Sequence, residues 1–459
     1  MRRRAAIVSG SGAAIGALAF AGIRAAVSDE SATVSVPVEL TGRDRLASPA
    51  AVSVYRMLAK LENAARTGRQ PVTVIGQHVE LHNELYNADY GDYRGVKPPG
   101  YYYRKAADIT GKLPGFLEVD LGPGYERAAW GVGHARTYSV ATWPGGQDHW
   151  AYVDDAVDLA AGVWRGLPRA ADGTYNTDGR QPRPNGTKSE LPRNGGAPAG
   201  LVGMSFHQPY PGSLVKGYQE TLSRNAPGRN DRKWINRVLT AGTSEHQALL
   251  LDLSFLADHL SYLADHDIPV LLRPYHEMNA PGSMGFWWSA LGATQYKTLW
   301  QTLYSYLVGS RGLHNLIFVW APAAWDGKHG GEPWDYYPGH EYVDVVGVDD
   351  YSGPPSKPYG GGTWTKQWYD GLADYHKPRV MAESPYVPVN GSQPRTLTDT
   401  PWVIWTVWGQ ALTQHNVSGP QGGNTLADVR ATYDSPRVLT GGGHPAASGG
   451  FTWKSLQPT

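Results

Sequence analysis

The sequence predicts an α/β protein folded as a (β/α)8 TIM barrel, a single catalytic domain with long βα loops. Three observations carry this expectation. Eight short apolar runs recur along the chain, each bounded by turn residues. Helix-like patterns lie between them. The residues that end the runs are acidic, imidazole-bearing or aromatic, as the C-terminal rim of a catalytic barrel requires.

The runs are 72–77, 115–120, 201–206, 269–275, 315–320, 343–348, 378–383 and 402–408. Near-continuous apolar character suits parallel strands buried on both faces. The clearest helix places Leu249, Leu253, Leu256, Leu260 and Leu263 on one face at the 3.6-residue period. Further helical patterns cover 152–164, 294–308 and 366–375. A doubly wound open sheet is the competing architecture, but no glycine-rich phosphate turn follows the first run.

Composition narrows the function classes. The chain has 459 residues, enough for one barrel with long loops, and 41 basic residues balance 41 acidic ones. No basic footprint of a nucleic-acid partner is present. With no cysteine, thiolate nucleophiles, disulfides and cysteine-held metals are excluded. The aromatics are skewed, 17 Trp and 27 Tyr against 7 Phe. Amphipathic rings suit wet surfaces, and sugar rings stack on them.

The N-terminus reads as a leader. Arg2, Arg3 and Arg4 precede a Gly/Ala-rich apolar stretch, and Ala26-Val27-Ser28 offers small residues for cleavage. Expected segments are a signal peptide over 1–28 (Sec or twin-arginine), a linker over 29–49, the catalytic barrel over 50–440 and a C-terminal tail over 441–459. The expected product is a secreted monomer with no membrane attachment after cleavage.

Two glutamates stand out by position. Glu277 follows the fourth run and Glu383 ends the seventh, on opposite sides of an eight-stranded barrel. Glycosidic cleavage needs such a pair: one carboxylic acid protonates the leaving oxygen, and the other attacks the anomeric carbon or activates water. Glu277 as acid must stay protonated, and Glu383 must stay ionised, with Tyr351 a candidate donor to it. No HExxH-type spacing supports a catalytic metal, and no nucleophile elbow surrounds Ser205.

At this point the residues resemble glycoside hydrolase family 26, whose type activity is endo-β-1,4-mannanase. The run RPYHEMN (273–279) followed by FWW (286–288) carries the likeness, with YYPGHEYVDVVGVDDYS at 336–352. IGQH (75–78), GFLEVD (115–120), GMSFHQPYP (203–211), HNLIFVWAP (314–322) and PRVMAESP (378–385) support it. The resemblance implies Glu277 as acid/base, Glu383 as nucleophile and Tyr351 as the residue that orients it. It implies that His276 and His207 line the glycone side and that Trp408, with Trp405 as competitor, floors the −1 sugar. Trp287 and Trp288 are expected as substrate platforms or as packing beneath the cleft. The implied substrate is a β-linked polysaccharide, mannan, glucomannan or galactomannan, cut internally with retention and without a cofactor or metal. Two departures stand out: a longer loop over 280–285 and a second acid, Asp350, before Tyr351. The loop motivates an alternative substrate in the same fold, β-1,3-xylan or mixed-linkage β-glucan. A non-catalytic carbohydrate-binding barrel is the rival of a different class, and it predicts the loss of one carboxylate.

Overall fold

The computed structural model describes residues 44–68, 71–79, 100–121, 153–165, 199–214, 218–231, 233–280, 285–324, 332–351, 366–389, 395–413, 424–441 and 453. The expected leader over 1–28, most of the expected linker, and residues 281–284 of the loop after Asn279 lie outside them. Eight strands form in the order expected: β1 Thr73–Val79, β2 Phe116–Leu121, β3 Leu201–Phe206, β4 Val270–Pro274, β5 Leu316–Trp320, β6 Val345–Asp349, β7 Arg379–Ser384 and β8 Ile404–Trp408. Each pairs in parallel with the next, and β8 returns to β1 through Val74–Ile404 to His78–Trp408. That closes the barrel. A short ninth strand, β9 Val438–Leu439, adds to the start of β1.

Helices α1 Pro49–Thr67, α2 Tyr101–Thr110, α3 Val153–Arg165, α4 Trp234–Val238 and α5 Ser244–Ala264 precede the midpoint of the barrel. Then come α6 Ala293–Tyr304, α7 Lys366–Gly371, α8 Thr396–Asp399 and α9 Leu426–Asp434. The leucine stripe of α5 is buried along its length. Burying each such side chain contributes roughly 1.5–3 kcal/mol. Thr243 caps this helix, accepting from the His246 amide at 3.1 Å. The pattern over 294–308 continues past α6 as a π-helical turn at Ser305–Ser310.

Inside the barrel the lower layer is apolar and the upper layer ionic. Phe116 fills the lower layer between Gly76 on β1 and Gly203 on β3; a Cβ on Gly76 would stand 2.7 Å from its ring. Above it, Glu118, Arg273 and Thr406 share one interior cavity with Val319, Val380 and Ala382. This layering concentrates charge toward the C-terminal rim.

Two boundaries differ from expectation. Asp44 and Ser48, within the stretch read as linker, hold the barrel base: Asp44 Oδ1 lies 2.9 Å from His314 Nδ1, and the Ser48 amide donates to the His314 carbonyl at 2.7 Å. Trp453, within the stretch read as tail, is only 3% exposed and donates its indole N–H to the Thr440 carbonyl at 2.9 Å. An isolated indole-bearing segment gave no periodicity to read, so its packing was invisible in the sequence.

Candidate active site

The rim is organised by Arg273, the fourth residue of β4. Its guanidinium serves three carboxylates from three strands: Nε to Glu118 Oε1 at 2.7 Å, Nη1 to Asp349 Oδ2 at 2.8 Å, and Nη2 to Glu383 Oε1 at 2.5 Å. All four residues are buried. A planar five-donor fork suits this task in a way that a lysine ammonium does not. Sequence reasoning missed Arg273, although a charged residue inside the apolar run LLRP was the available signal.

Glu383 reaches this cluster through a defect in its strand. Val380 and Ala382 line the barrel interior. Strict alternation would turn Glu383 outward. The pairing of β7 slips on both sides, between Val348 and Asp349 toward β6 and between Met381 and Ser384 toward β8. The irregularity re-aims Glu383 into the mouth, a recurrent use of bulges beside reactive groups. Its second oxygen, Oε2, accepts from the Tyr351 hydroxyl at 2.6 Å.

Glu277 stands three residues past the end of β4 with a φ of 53°, and Tyr275 has a φ of 47°. Two non-glycine residues in the left-handed region cost of order 1–3 kcal/mol each and persist only when surroundings over-determine them. Here the Tyr275 hydroxyl donates to Gln208 Oε1 at 2.7 Å, and the Tyr296 hydroxyl donates to the Tyr275 carbonyl at 3.0 Å. The Glu277 amide donates to the Ala321 carbonyl at 2.9 Å, and its carbonyl accepts from Ser289 Oγ at 2.9 Å. Its carboxyl has no hydrogen-bond partner among the described residues.

The two glutamates therefore diverge. Burial, and next the negative charge of Glu383, push Glu277 up to about 8, against the pull of Arg273. Burial acts to raise Glu383 too, but Arg273, His78 and the hydrogen bonds from Tyr351 and Arg273 outweigh it and hold it below its ordinary value. Burial also lifts Asp349 well above the usual range, although Arg273 opposes this. One carboxyl stays protonated and the other ionised, the arrangement that acid-assisted displacement uses.

A second polar cluster joins β1, β2 and β3. Asp120 Oδ1 accepts from Ser205 Oγ at 2.6 Å and lies 3.1 Å from His207 Nδ1 and 3.3 Å from His78 Nε2. Burial disfavours a charged His78, but Asp120 more than compensates and lifts it to about 9. His276 lies edge-on to His207, with ring centroids 4.7 Å apart. Burial, and next Arg273, drive it well below its ordinary value, so it stays neutral. His276, Asp349 and Glu383 bring one ligand-type atom each within 4.8 Å of one another. Arg273 already engages both of those carboxyl groups.

The aromatic expectations divide. Trp408 is half-buried at the end of β8, stacked 6.3 Å from His78 at 13° and edge-on to Tyr351. Trp405 is fully buried and donates to the Tyr386 carbonyl at 2.8 Å, so of the two only Trp408 faces the rim. Trp287 and Trp288 are corrected as platforms. Both are enclosed, at 1% and 0% exposure, and their indole N–H groups donate to the carbonyls of Gln208 and His276 at 2.8 and 2.6 Å. With both faces covered, neither can stack on a sugar; both pack against Tyr275. His207, His276, Tyr351, Glu277, Glu383 and Trp408 all converge on one rim.

Comparison with known proteins agrees with this geometry. The model of Glycosyl hydrolase family 26 matches residues 168–412, more than half of the chain. A mannan endo-1,4-beta-mannosidase of Bacillus subtilis (strain 168) is 33% identical over 216 residues, covering 45% of this chain and 52% of that one. One from Thermothelomyces thermophilus is 32% identical over 201 residues, covering 43% and 36%. The chain thus spans about half the length of the curated relatives it matches. Among solved structures, GH26A of a Muricauda species superposes with a TM-score of 0.58 at 21% identity, covering 87% of this chain and 98% of that one. A beta-mannanase from a symbiotic protist of the termite Reticulitermes speratus, complexed with gluco-manno-oligosaccharide, gives 0.59 at 20%, covering 88% and 97%. These two likenesses speak to the fold. The family match, joined to the barrel, establishes that the chain belongs to glycosyl hydrolase family 26.

Proposed function

We propose that this chain hydrolyses internal β-1,4-mannosidic links of mannan, glucomannan or galactomannan with net retention. Glu277 is the general acid/base and Glu383 the nucleophile. The observation that carries this reading is the opposed environment of the two carboxyls: Glu277 half-buried with no hydrogen-bond partner among the described residues, Glu383 buried and clamped between Arg273 and Tyr351. In the first step Glu383 forms a bond to the anomeric carbon as the bond to the leaving oxygen breaks, and the Glu277 proton passes to that oxygen. Water then enters from the vacated side. Glu277 takes its proton, the hydroxyl oxygen bonds to the anomeric carbon, and Glu383 is released. His207, His276 and Trp408 bind the sugar that is cut. The similarity to mannan endo-1,4-beta-mannosidases supports mannan as the polymer.

Reducing-sugar release from konjac glucomannan, mannan, β-1,3-xylan and mixed-linkage β-glucan tests the substrate. Turnover of xylan or β-glucan without mannan would overturn it. The first-formed anomer, read by proton NMR, tests retention. Full activity in Glu383→Ala would remove the nucleophile from its role.

A further inference from the structure

The rim of the barrel continues past the strands as a backbone ladder. From the nucleophile side, the Asp350 amide donates to the Glu383 carbonyl at 2.8 Å. Next, Asp349 and Ala323 form a parallel bridge: the Asp349 amide donates to Pro322 at 3.0 Å, and the Ala324 amide donates to the Asp349 carbonyl at 2.9 Å. On the acid side, the Glu277 amide donates to the Ala321 carbonyl. A strand in this position would continue the ladder with its own backbone. Glu277 cannot, because its left-handed turn takes the chain out of register.

The side chain of Asn279 fills that gap. Its Nδ2 donates to the Ala323 carbonyl and its Oδ1 accepts from the Ala323 amide, both at 2.8 Å. One amide thus satisfies both backbone groups of a single residue, as a neighbouring strand would. Asn279 is 3% exposed, and Ala323 is 2% exposed. The bonds are therefore sheltered from competing water, and their loss leaves buried backbone groups unpaired. Through Ala323 and Asp349 the connection runs, bond by bond, from the turn that holds Glu277 to the strand that holds Glu383.

We propose that Asn279 is the positioning residue for Glu277, its amide tying the loop after β4 to Ala323 and so fixing the distance between the two glutamates. This rests on the reading of Glu277 as the acid. A sugar leaving group needs the proton from Glu277, whereas a dinitrophenolate departs without one. A residue that only places the acid should matter for the first and not for the second.

The test compares kcat/KM on mannopentaose with that on 2,4-dinitrophenyl β-mannobioside for full-length Asn279→Ala, Asn279→Asp and Glu277→Gln. Misplacing a reacting group by about 1 Å costs about 10²-fold. Asn279→Ala should lose about that much on mannopentaose and keep within about threefold of the original rate on the dinitrophenyl glycoside, since the proton-transfer contribution is absent there. Asn279→Asp retains the acceptor for the Ala323 amide, so it should show the same selectivity with a smaller loss; it also carries the test should the alanine variant not fold. Equal losses on both substrates, or no loss on either, overturn the proposal. Glu277→Gln separates the two readings. If it spares the dinitrophenyl glycoside and the Asn279 variants do not, only the role of Asn279 fails. If Glu277→Gln loses both substrates alike, the reading of Glu277 as acid has failed and the proposal falls with it.

Discussion

Arg273 on β4 and Glu383 on β7 face each other across the barrel and meet as a buried ion pair, Nη2 to Oε1 at 2.5 Å. The same guanidinium holds Glu118 and Asp349, so a single cation serves three enclosed carboxylates. Removing one partner of a buried pair leaves uncompensated charge and costs about 3–5 kcal/mol. Arg273→Met should therefore lower unfolding stability by about that amount in urea. It should also shift the acid limb of activity upward, because Glu383 loses the largest influence holding it down. Arg273→Lys restores charge without the fork and should recover only part of either effect. A methionine variant as stable as the parent would show that the three carboxylates do not depend on this cation.

The opposed glutamates set the pH dependence of kcat/KM, with Glu277 required protonated and Glu383 ionised. Glu383 lies below its ordinary value, so the acid limb should lie below that of an unperturbed glutamate. Activity is lost there as Glu383 gains a proton. Glu277 is raised to about 8, so activity should persist through neutrality and decline as pH rises through that value. The profile on a soluble manno-oligosaccharide checks both limbs. An alkaline limb near the unperturbed carboxylate value would mean that Glu277 is hydrated and is not raised by its surroundings.

Trp405 and Trp408 lie three residues apart on β8 and should separate stability from activity. Trp405 is enclosed and hydrogen-bonded to Tyr386. Its truncation to alanine should cost about 3–5 kcal/mol of stability. Trp408 is half-buried at the rim against His78 and Tyr351. Trp408→Ala should leave the melting temperature close to that of the parent and lower kcat/KM by roughly tenfold or more, equivalent to about 1.4 kcal/mol. The reverse pattern would exchange their roles.

The contrast between these two tryptophans marks where the sequence is legible. All eight strands lie within a few residues of the apolar runs, because burial on both faces writes itself into composition. Glu277 and Glu383 could be singled out because strand ends in a barrel point to one mouth. Trp287 and Trp288 stayed open between platform and packing because an aromatic pair near a rim reads the same whether its faces are open or covered. Arg273 escaped notice because its role depends on carboxylates 155, 76 and 110 residues away in sequence. The bulge that turns Glu383 inward leaves no residue-type signature either: the run RVMAES reads as regular alternation broken only by its outcome.

The base of the barrel is closed by residues that a boundary drawn at 440 would discard. Trp453 belongs to the same buried cluster as Val74, Phe116 and Leu439. Its ring also approaches Gly115, where an added Cβ would stand 3.0 Å from it. Gly115 begins β2's approach to the barrel, and its amide donates to the Ile75 carbonyl at 2.8 Å. Trp453 therefore packs where β1, β2 and β9 enter the sheet. Trp453→Ala should leave a cavity and cost about 3–5 kcal/mol. Truncation after Gly441 should cost at least as much, since it removes the same ring. The site lies at the opposite end, so kcat/KM below the melting transition should stay near that of the parent. Urea denaturation and assay at a temperature well below melting read the two effects separately. A truncated chain with parental stability would make the segment dispensable, whereas a stable chain with lost activity would place its influence at the rim.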